Sequence, residues 1–276
     1  MATKHEFPCP SCATWITVPG EYAGKKGRCS ACKRSIRVPQ RSLVRVAREV
    51  DGPAVRVVEV AIAADTPEGV RLLALDPFLG WLGEEARTTP ITDGQTLQLG
   101  WTLLQCRVVE RRLVLLAPDL RASITAPQAP LPSEFQPDLT QAVWTLFEHT
   151  QVPASLGAEL LIPTLRQAAV VGPRYAELPC VMERTTPQAD DDSGWTFNSL
   201  RPDVDNNDPE QLSRVSLYEA VLASPRLLRY LSLPPGSSVL FDPARAPGPL
   251  HLRGRTPVQP LPGSYLAATL AAERGG

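Results

Sequence analysis

Four cysteines in two pairs constrain this chain more than any other feature. Cys9-Pro10-Ser11-Cys12 and Cys29-Ser30-Ala31-Cys32 are CxxC pairs with sixteen residues between them. That spacing reads as a four-cysteine metal site, and four thiolates in tetrahedral array select zinc. Two residues between the cysteines of each pair let backbone amides point at the sulfurs and disperse their charge. The pattern also repeats. At an offset of twenty, Cys9 matches Cys29, Cys12 matches Cys32, Ile16 matches Ile36, Val18 matches Val38 and Pro19 matches Pro39. Each half therefore reads as a knuckle followed by a short alternating strand, Trp15-Ile16-Thr17-Val18 and Ser35-Ile36-Arg37-Val38. Gly20, Gly24 and Gly27 suit the connection between them.

On these motifs residues 7–39 resemble the zinc-ribbon family. The resemblance implies one structural Zn2+ on Cys9, Cys12, Cys29 and Cys32, because closed four-thiolate sites are structural rather than catalytic. A redox CxxC would open a helix in a βαβ setting, which Pro10 and the following strands oppose. Charge is concentrated in the same region. Residues 1–48 hold ten Lys/Arg against Glu6 and Glu21, a formal +8; the remainder, with eighteen basic and twenty-seven acidic residues, carries −9. A basic head on an acidic body fits nucleic acid as a partner. Lys25, Lys26, Arg28, Lys33 and Arg34 are the candidate contacts, with Trp15 and Tyr22 available to stack. A solvated face, or docking on the chain's own acidic body, would use the same residues.

With 276 residues, 43% hydrophobic and 21% charged, the chain has ample core for several domains. Its 29 prolines predict short elements and stiff connections. No apolar run reaches the roughly 18 to 20 residues of a membrane span, and the first residues lack the apolar core of a secretory signal. The expectation is a cytoplasmic protein with no membrane partner. The expected architecture is α+β and multidomain: a zinc ribbon over 1–42, a β-rich domain of unknown role over 43–125, a proline-rich linker over 126–137, and an α+β domain over 138–276. In the middle, 55–62, 70–75, 95–109 and 113–116 read as strands, the last two flanking Glu110-Arg111-Arg112; 78–82 reads as a short helix or a core plug. Cys106 reads as a small core residue. Asp138 reads as an N-cap before Leu139, Ala142, Val143, Leu146 and Phe147 at helical spacing, and His149 as a surface cap near the helix end.

Further on, 168–171 and 180–184 read as strands, Asp190-Asp191-Asp192 as an acidic turn, and 209–223 as a helix. Met182-Glu183-Arg184, Asp192-Ser193-Gly194-Trp195-Thr196-Phe197 and Asn207-Asp208-Pro209-Glu210 come in order with Leu217-Tyr218, Ser224-Pro225, Leu231, Pro235-Gly236-Ser237 and Phe241. Over residues 167–245 this order resembles a bacterial immunity-protein family, immunity protein thirty-three, earlier catalogued as a domain of unknown function. The resemblance implies an α+β binding domain without cofactor that neutralises a toxin by binding it. Asp190, Asp191, Asp192 and Trp195 are then the candidate partner contacts, the carboxylates meeting a basic surface and the indole anchoring it. The other reading of Trp195 is core beside a turn shaped by Asp192 and Ser193. Only His5, His149 and His251 are present, and there is no GxSxG, HExxH or P-loop motif. The chain therefore reads as a non-enzymatic, zinc-containing bacterial protein-binding module, immunity- or inhibitor-like, with a toxin as the implied protein partner. The alternative is a nucleic-acid-binding or regulatory protein acting through residues 1–48.

Overall fold

The computed structural model describes residues 4–118, 120, 132, 134–246 and 248–275. They fall into two compact units: residues 4–118, 132 and 134–147 form the first, and residues 120, 148–246 and 248–275 the second. Both mix helices and strands, so the chain is an α+β protein.

The first unit begins with the two halves of the sequence repeat. β1 (Lys4–Pro8) pairs antiparallel with β2 (Trp15–Pro19), and β3 (Lys26–Arg28) with β4 (Ser35–Arg37). Strand alternation turns Phe7 and Ile16 inward from one hairpin and Ile36 from the other. These side chains are too few to close a core alone. They cluster with Val38, Cys9 and Cys29, and with Leu43 and Ala61 from the sheet that follows.

That sheet contains β5 (Leu43–Glu49), β6 (Val57–Ala63), β7 (Thr96–Leu99), β8 (Thr102–Val109), β9 (Arg112–Pro118) and β10 (Phe135–Gln136). Its order is β5-β6-β9-β8-β7, with β10 against β9. Among the described strands of this sheet, β6 and β9 run parallel and the other pairs antiparallel. β8 and β9 form a hairpin over Glu110 and Arg111, both at positive φ (48° and 62°), the geometry of a tight hairpin turn. Cys106 is fully buried on β8, and burial pushes its thiol up to about 12. Of the proline-rich stretch expected at 126–137, residues 126–131 and 133 lie outside the described residues, and its last part forms β10.

One expected strand is helical instead. Glu68–Val70 (α1) runs through a π-helical turn, Arg71–Leu75, into α2 (Asp76–Thr88). Val70, Ala74, Leu75, Phe78, Leu79 and Leu82 are buried at intervals that keep to one side of the helix, while Leu72 and Leu73 are more than half exposed. The run Val70 to Leu75 is apolar enough for either structure, and a short apolar run carries no period to decide between them. The segment 78–82 lies inside this helix.

α3 (Thr140–Ser155) starts where Asp138 accepts from the Thr140 backbone N–H at 2.9 Å. The Thr140 hydroxyl also accepts from the Ala63 N–H at 2.7 Å, tying the helix start to β6. The two units divide within this helix.

The second unit is built on β11 (Ala168–Val171), β12 (Cys180–Arg184), β13 (Asp192–Ser199), β14 (Ser213–Ser216), β15 (Ser237–Phe241), β16 (Leu250–Arg253) and β17 (Thr256–Val258). They form one sheet in the order β14-β11-β13-β12-β15-β16-β17, with helices α4 (Leu217–Ala223) and α5 (Tyr265–Gly275). The helix expected over 209–223 is split. Pro209–Gln211 is a 3-10 turn, and Ser213–Ser216 is extended because its backbone pairs with β11. Helix starts only at Leu217, where Ser216 and Glu219 form a reciprocal capping box.

His149 is also not the surface cap expected. α3 continues past it to Ser155, on a face shared with buried Ala142, Thr145 and Val152. The imidazole is fully buried, and its Nε2 donates to the Leu228 carbonyl at 2.7 Å. Burial pulls His149 from 6.5 down to about 4, and burial does the same to His251 on β16. Between these values the unfolded chain binds protons that the folded unit refuses, so stability falls with falling pH. We expect unfolding free energy to be level above pH 7, and to drop by up to about 1.4 kcal/mol per pH unit per histidine from about pH 6.5 to about pH 4. Urea unfolding of the second unit at about pH 7.5 and about pH 5 measures this. His149→Gln, which keeps the donor, should remove about half of the slope; an unchanged slope would exclude His149 as its source.

Candidate metal centre and protein interface

The two CxxC knuckles are built by the same local bonds. Cys9 N–H donates to Thr14 O and Cys29 N–H to Arg34 O, both at 2.9 Å; Ala13 N–H returns to Cys9 O at 2.9 Å and Lys33 N–H to Cys29 O at 3.0 Å. Ala13 and Lys33, at equivalent positions, both take left-handed φ (57° and 61°). This folds each knuckle back so that its two thiols face one point. The four Sγ atoms of Cys9, Cys12, Cys29 and Cys32 all lie within 4.8 Å of one another. Cys9 to Cys32 is 3.8 Å and Cys12 to Cys29 is 3.7 Å. A tetrahedron with metal–sulfur bonds of about 2.3 Å has edges of about 3.8 Å, so the cluster has the dimensions of a metal site. The Ser11 N–H points at Cys9 Sγ (3.4 Å) and the Cys32 N–H at Cys29 Sγ (3.5 Å), as charge dispersal requires. Without a cation, burial pushes the Cys9 thiol up to about 12.

The knuckles differ in their surroundings. Ala13 of the first is fully buried against Val114 and Leu116, and Arg107 Nε donates to Pro10 O at 3.3 Å. The second exposes Ser30, Ala31, Lys33 and Arg34. Glu59, a residue the sequence reading missed, secures the first. It is a fully buried carboxylate on β6 that accepts from the Trp15 indole N–H at 2.5 Å and pairs with Arg45 and, at 3.7 Å, Arg112. A lone carboxylate inside Val57-Val58-Glu59-Val60-Ala61-Ile62-Ala63 was the available signal, because such a charge needs buried partners. Trp15 is thereby committed to Glu59. Tyr22 remains 45% exposed, with Lys25 Nζ 5.3 Å from its ring centre. Lys25, Lys26, Arg28, Lys33 and Arg34 are all exposed.

In the second unit, Asp190 and Asp191 are exposed, and Asp191 pairs with Arg214 at 2.8 Å. Asp192 turns back on its own loop and accepts from the Gln188 and Gly194 N–H groups, each at 2.9 Å. Burial opposes its ionisation, but those two amides together with the charges of Arg214 and Arg184 outweigh burial and hold its carboxyl below the usual range. Gly194 is required next to it: φ is +73°, and a Cβ would fall 2.1 Å from Thr185 O. Trp195 is 1% exposed, and its Nε1 donates to Leu231 O at 3.0 Å. It is core beside the turn and offers no face to a partner, which leaves Asp190 and Asp191 as the accessible members of the candidate set.

Trp195 packs beside Arg184, which the sequence reading named only within a motif and gave no role. The Arg184 guanidinium lies 5.5 Å from the indole centre and is itself buried. It donates to four carbonyls, of Ser193 (3.0 Å), Leu161 (2.7 Å), Leu231 (3.2 Å) and Leu233 (2.6 Å). Burial pulls its pKa down to about 10, so it stays charged at neutral pH.

Residues 148–246 match the family model of the Imm33-like domain. The match opens at Glu148, where the chain passes within α3 into the second unit, and takes in the acidic turn, Trp195 and Arg184. The C-terminal part of the chain is therefore similar to an immunity-protein-like domain. No zinc-ribbon family model matches, so the metal reading rests on the cysteine geometry. No curated protein and no solved structure matches the chain. Among the described residues no helix is long and apolar enough to cross a membrane.

Proposed function

We propose that this chain is a non-enzymatic protein-binding module. Its C-terminal unit docks on a protein partner, in the manner of an immunity protein on a toxin, and its N-terminal ribbon carries one structural zinc. The match of residues 148–246 to the Imm33-like domain carries the reading of the second unit. The four-thiol cluster supports zinc, since a closed set of four thiolates at tetrahedral spacing suits a d10 ion and leaves no open position for chemistry. Four segments in the order ribbon (1–42), β-rich domain (43–125), linker (126–137) and binding domain (138–276) remain our reading of the organisation, and the cytosol, where thiols stay reduced, our reading of the compartment.

Affinity capture from the source cell's lysate, with and without nuclease and followed by mass spectrometry, tests the partner class. A stoichiometric protein that survives nuclease supports the reading. Charge reversal at Asp190 and Asp191 then tests the surface. Both side chains are exposed, so the double change to lysine should alter stability by no more than about 0.5 kcal/mol. It should weaken the captured partner at least about tenfold in titration calorimetry, mainly through slower association. An unchanged affinity would remove the acidic turn from the interface.

A further inference from the structure

The ten cations of residues 1–48 do not form one uniform surface. Arg45 is taken by the buried Glu59 and Arg41 by Asp138 at 3.6 Å. Arg48 lies along α2, where a Cβ on Gly83 would sit 3.3 Å from its Nε. Lys4 stands apart at the start of β1, and six cations remain together on the second half of the ribbon: Lys25, Lys26, Arg28, Lys33, Arg34 and Arg37. All six are exposed, and among the described residues none forms an ion pair. Register places three of them on one face. Gly27 stands opposite Ile36, whose side chain is buried, so Lys26, Arg28, Ser35 and Arg37 all point the other way. Lys26 is directly opposite Arg37. Like charges facing each other across a strand pair are destabilising, and no carboxylate stands on this hairpin to relieve them. A zinc–tetrathiolate centre would carry about −2 in total and Glu21 adds about −1, which leaves an excess of positive charge over the six.

We propose that the β3–β4 face and the second knuckle form a phosphate-binding surface for the sugar–phosphate backbone of a nucleic acid. The surface reads backbone and not base. It offers strand-borne cations with no groove-entering helix, and its aromatic neighbour, Tyr22, already has Lys25 over its ring. Arg37, which also holds Gly24 O at 3.2 Å, belongs to this surface although it was not among the candidate contacts named from the sequence. The occluded first knuckle, its Ala13 buried against β9, takes no part. This surface is independent of the Asp190–Asp191 reading.

The full chain, with its metal content measured, is titrated against fluorescein-labelled mixed-sequence oligonucleotides, a duplex DNA of about 20 bp and an RNA of about 20 nt, from about 50 to about 200 mM salt. About five neutralised phosphates predict a log–log salt slope of about −4 to −5 on the duplex. The double variant Lys26→Glu, Arg37→Glu should lose at least about tenfold in affinity at the lowest salt and about 2 in slope, with metal content unchanged. Arg255→Glu, an exposed cation of the second unit, should leave binding unchanged. No binding to either oligonucleotide at the lowest salt, insensitivity to the double reversal, or equal competition by poly-glutamate at matched charge would each overturn the proposal. Retention of the nuclease-resistant protein partner by the same double variant separates this outcome from that of the protein-binding reading.

Discussion

Chelation of the metal, or Cys29→Ser, is expected to unfold β1 to β4 and to lower the melting temperature of the first unit by more than about 10 °C. The ribbon's apolar core consists of Phe7, Ile16, Ile36 and Val38, the last three between 5% and 7% exposed, together with the thiols themselves. So few side chains cannot offset the entropy of ordering two hairpins and two knuckles. Apparent binding energies of structural zinc, about 10 to 16 kcal/mol in small zinc-binding peptides, supply the difference. The effect should reach beyond the ribbon. Trp15 donates to Glu59, so unfolding β2 withdraws a hydrogen bond from a carboxylate with no exposed surface. Metal analysis, amide exchange of β1 to β4 and calorimetry measure the result: one zinc per chain in the parent protein, none in Cys29→Ser, and an unchanged transition for the second unit. Full protection of β1 to β4 in a metal-free sample would defeat this account.

Arg184→Met is expected to destabilise the second unit by about 3 to 5 kcal/mol. Methionine fills much of the space of the arginine stem but donates nothing. Four carbonyls, on the segment before β11, on β13 and on the turn before β15, lose their common donor. Leu231 O keeps the Trp195 indole N–H; each carbonyl left buried and unsatisfied costs about 1 to 3 kcal/mol, and water reaching Leu161 O would relieve part of the total. Arg184→Lys should recover less than half of the loss, because an ammonium cannot span the directions that the planar guanidinium covers. Denaturant unfolding in the full chain, followed by the transition that responds to His149→Gln, measures both. A loss under about 1 kcal/mol for Arg184→Met would mean that solvent replaces the guanidinium.

The features read correctly from the sequence are those whose cause is local. The metal cluster follows from CxxC spacing and a twenty-residue repeat, and the knuckle bonds that realise it join residues four or five apart. The strands at 57–63 and 180–184 follow from β-branched or apolar runs between turn residues. What was not legible depends on distant groups. Ser213–Ser216 is extended because β11, far upstream in the chain, offers it partners. His149 is buried because Leu228 supplies a carbonyl where the imidazole points. Glu59 and Arg184 look like ordinary strand charges until the fold brings an indole and two arginines to one, and four carbonyls to the other. Trp195 shows the same dependence, since only the position of Leu231 decides between anchor and core.

The placement of the chain's six cysteines has a practical consequence. Four are clustered at one centre, while Cys106 is sealed in the first unit and Cys180, its thiol raised by burial, in the second. A thiol-reactive dye therefore works as a counter with built-in addresses. Metal release uncovers four groups together, opening of the first unit adds a fifth, and opening of the second adds a sixth. Mapping the labelled peptide identifies which unit opened, with no engineered probe in the chain.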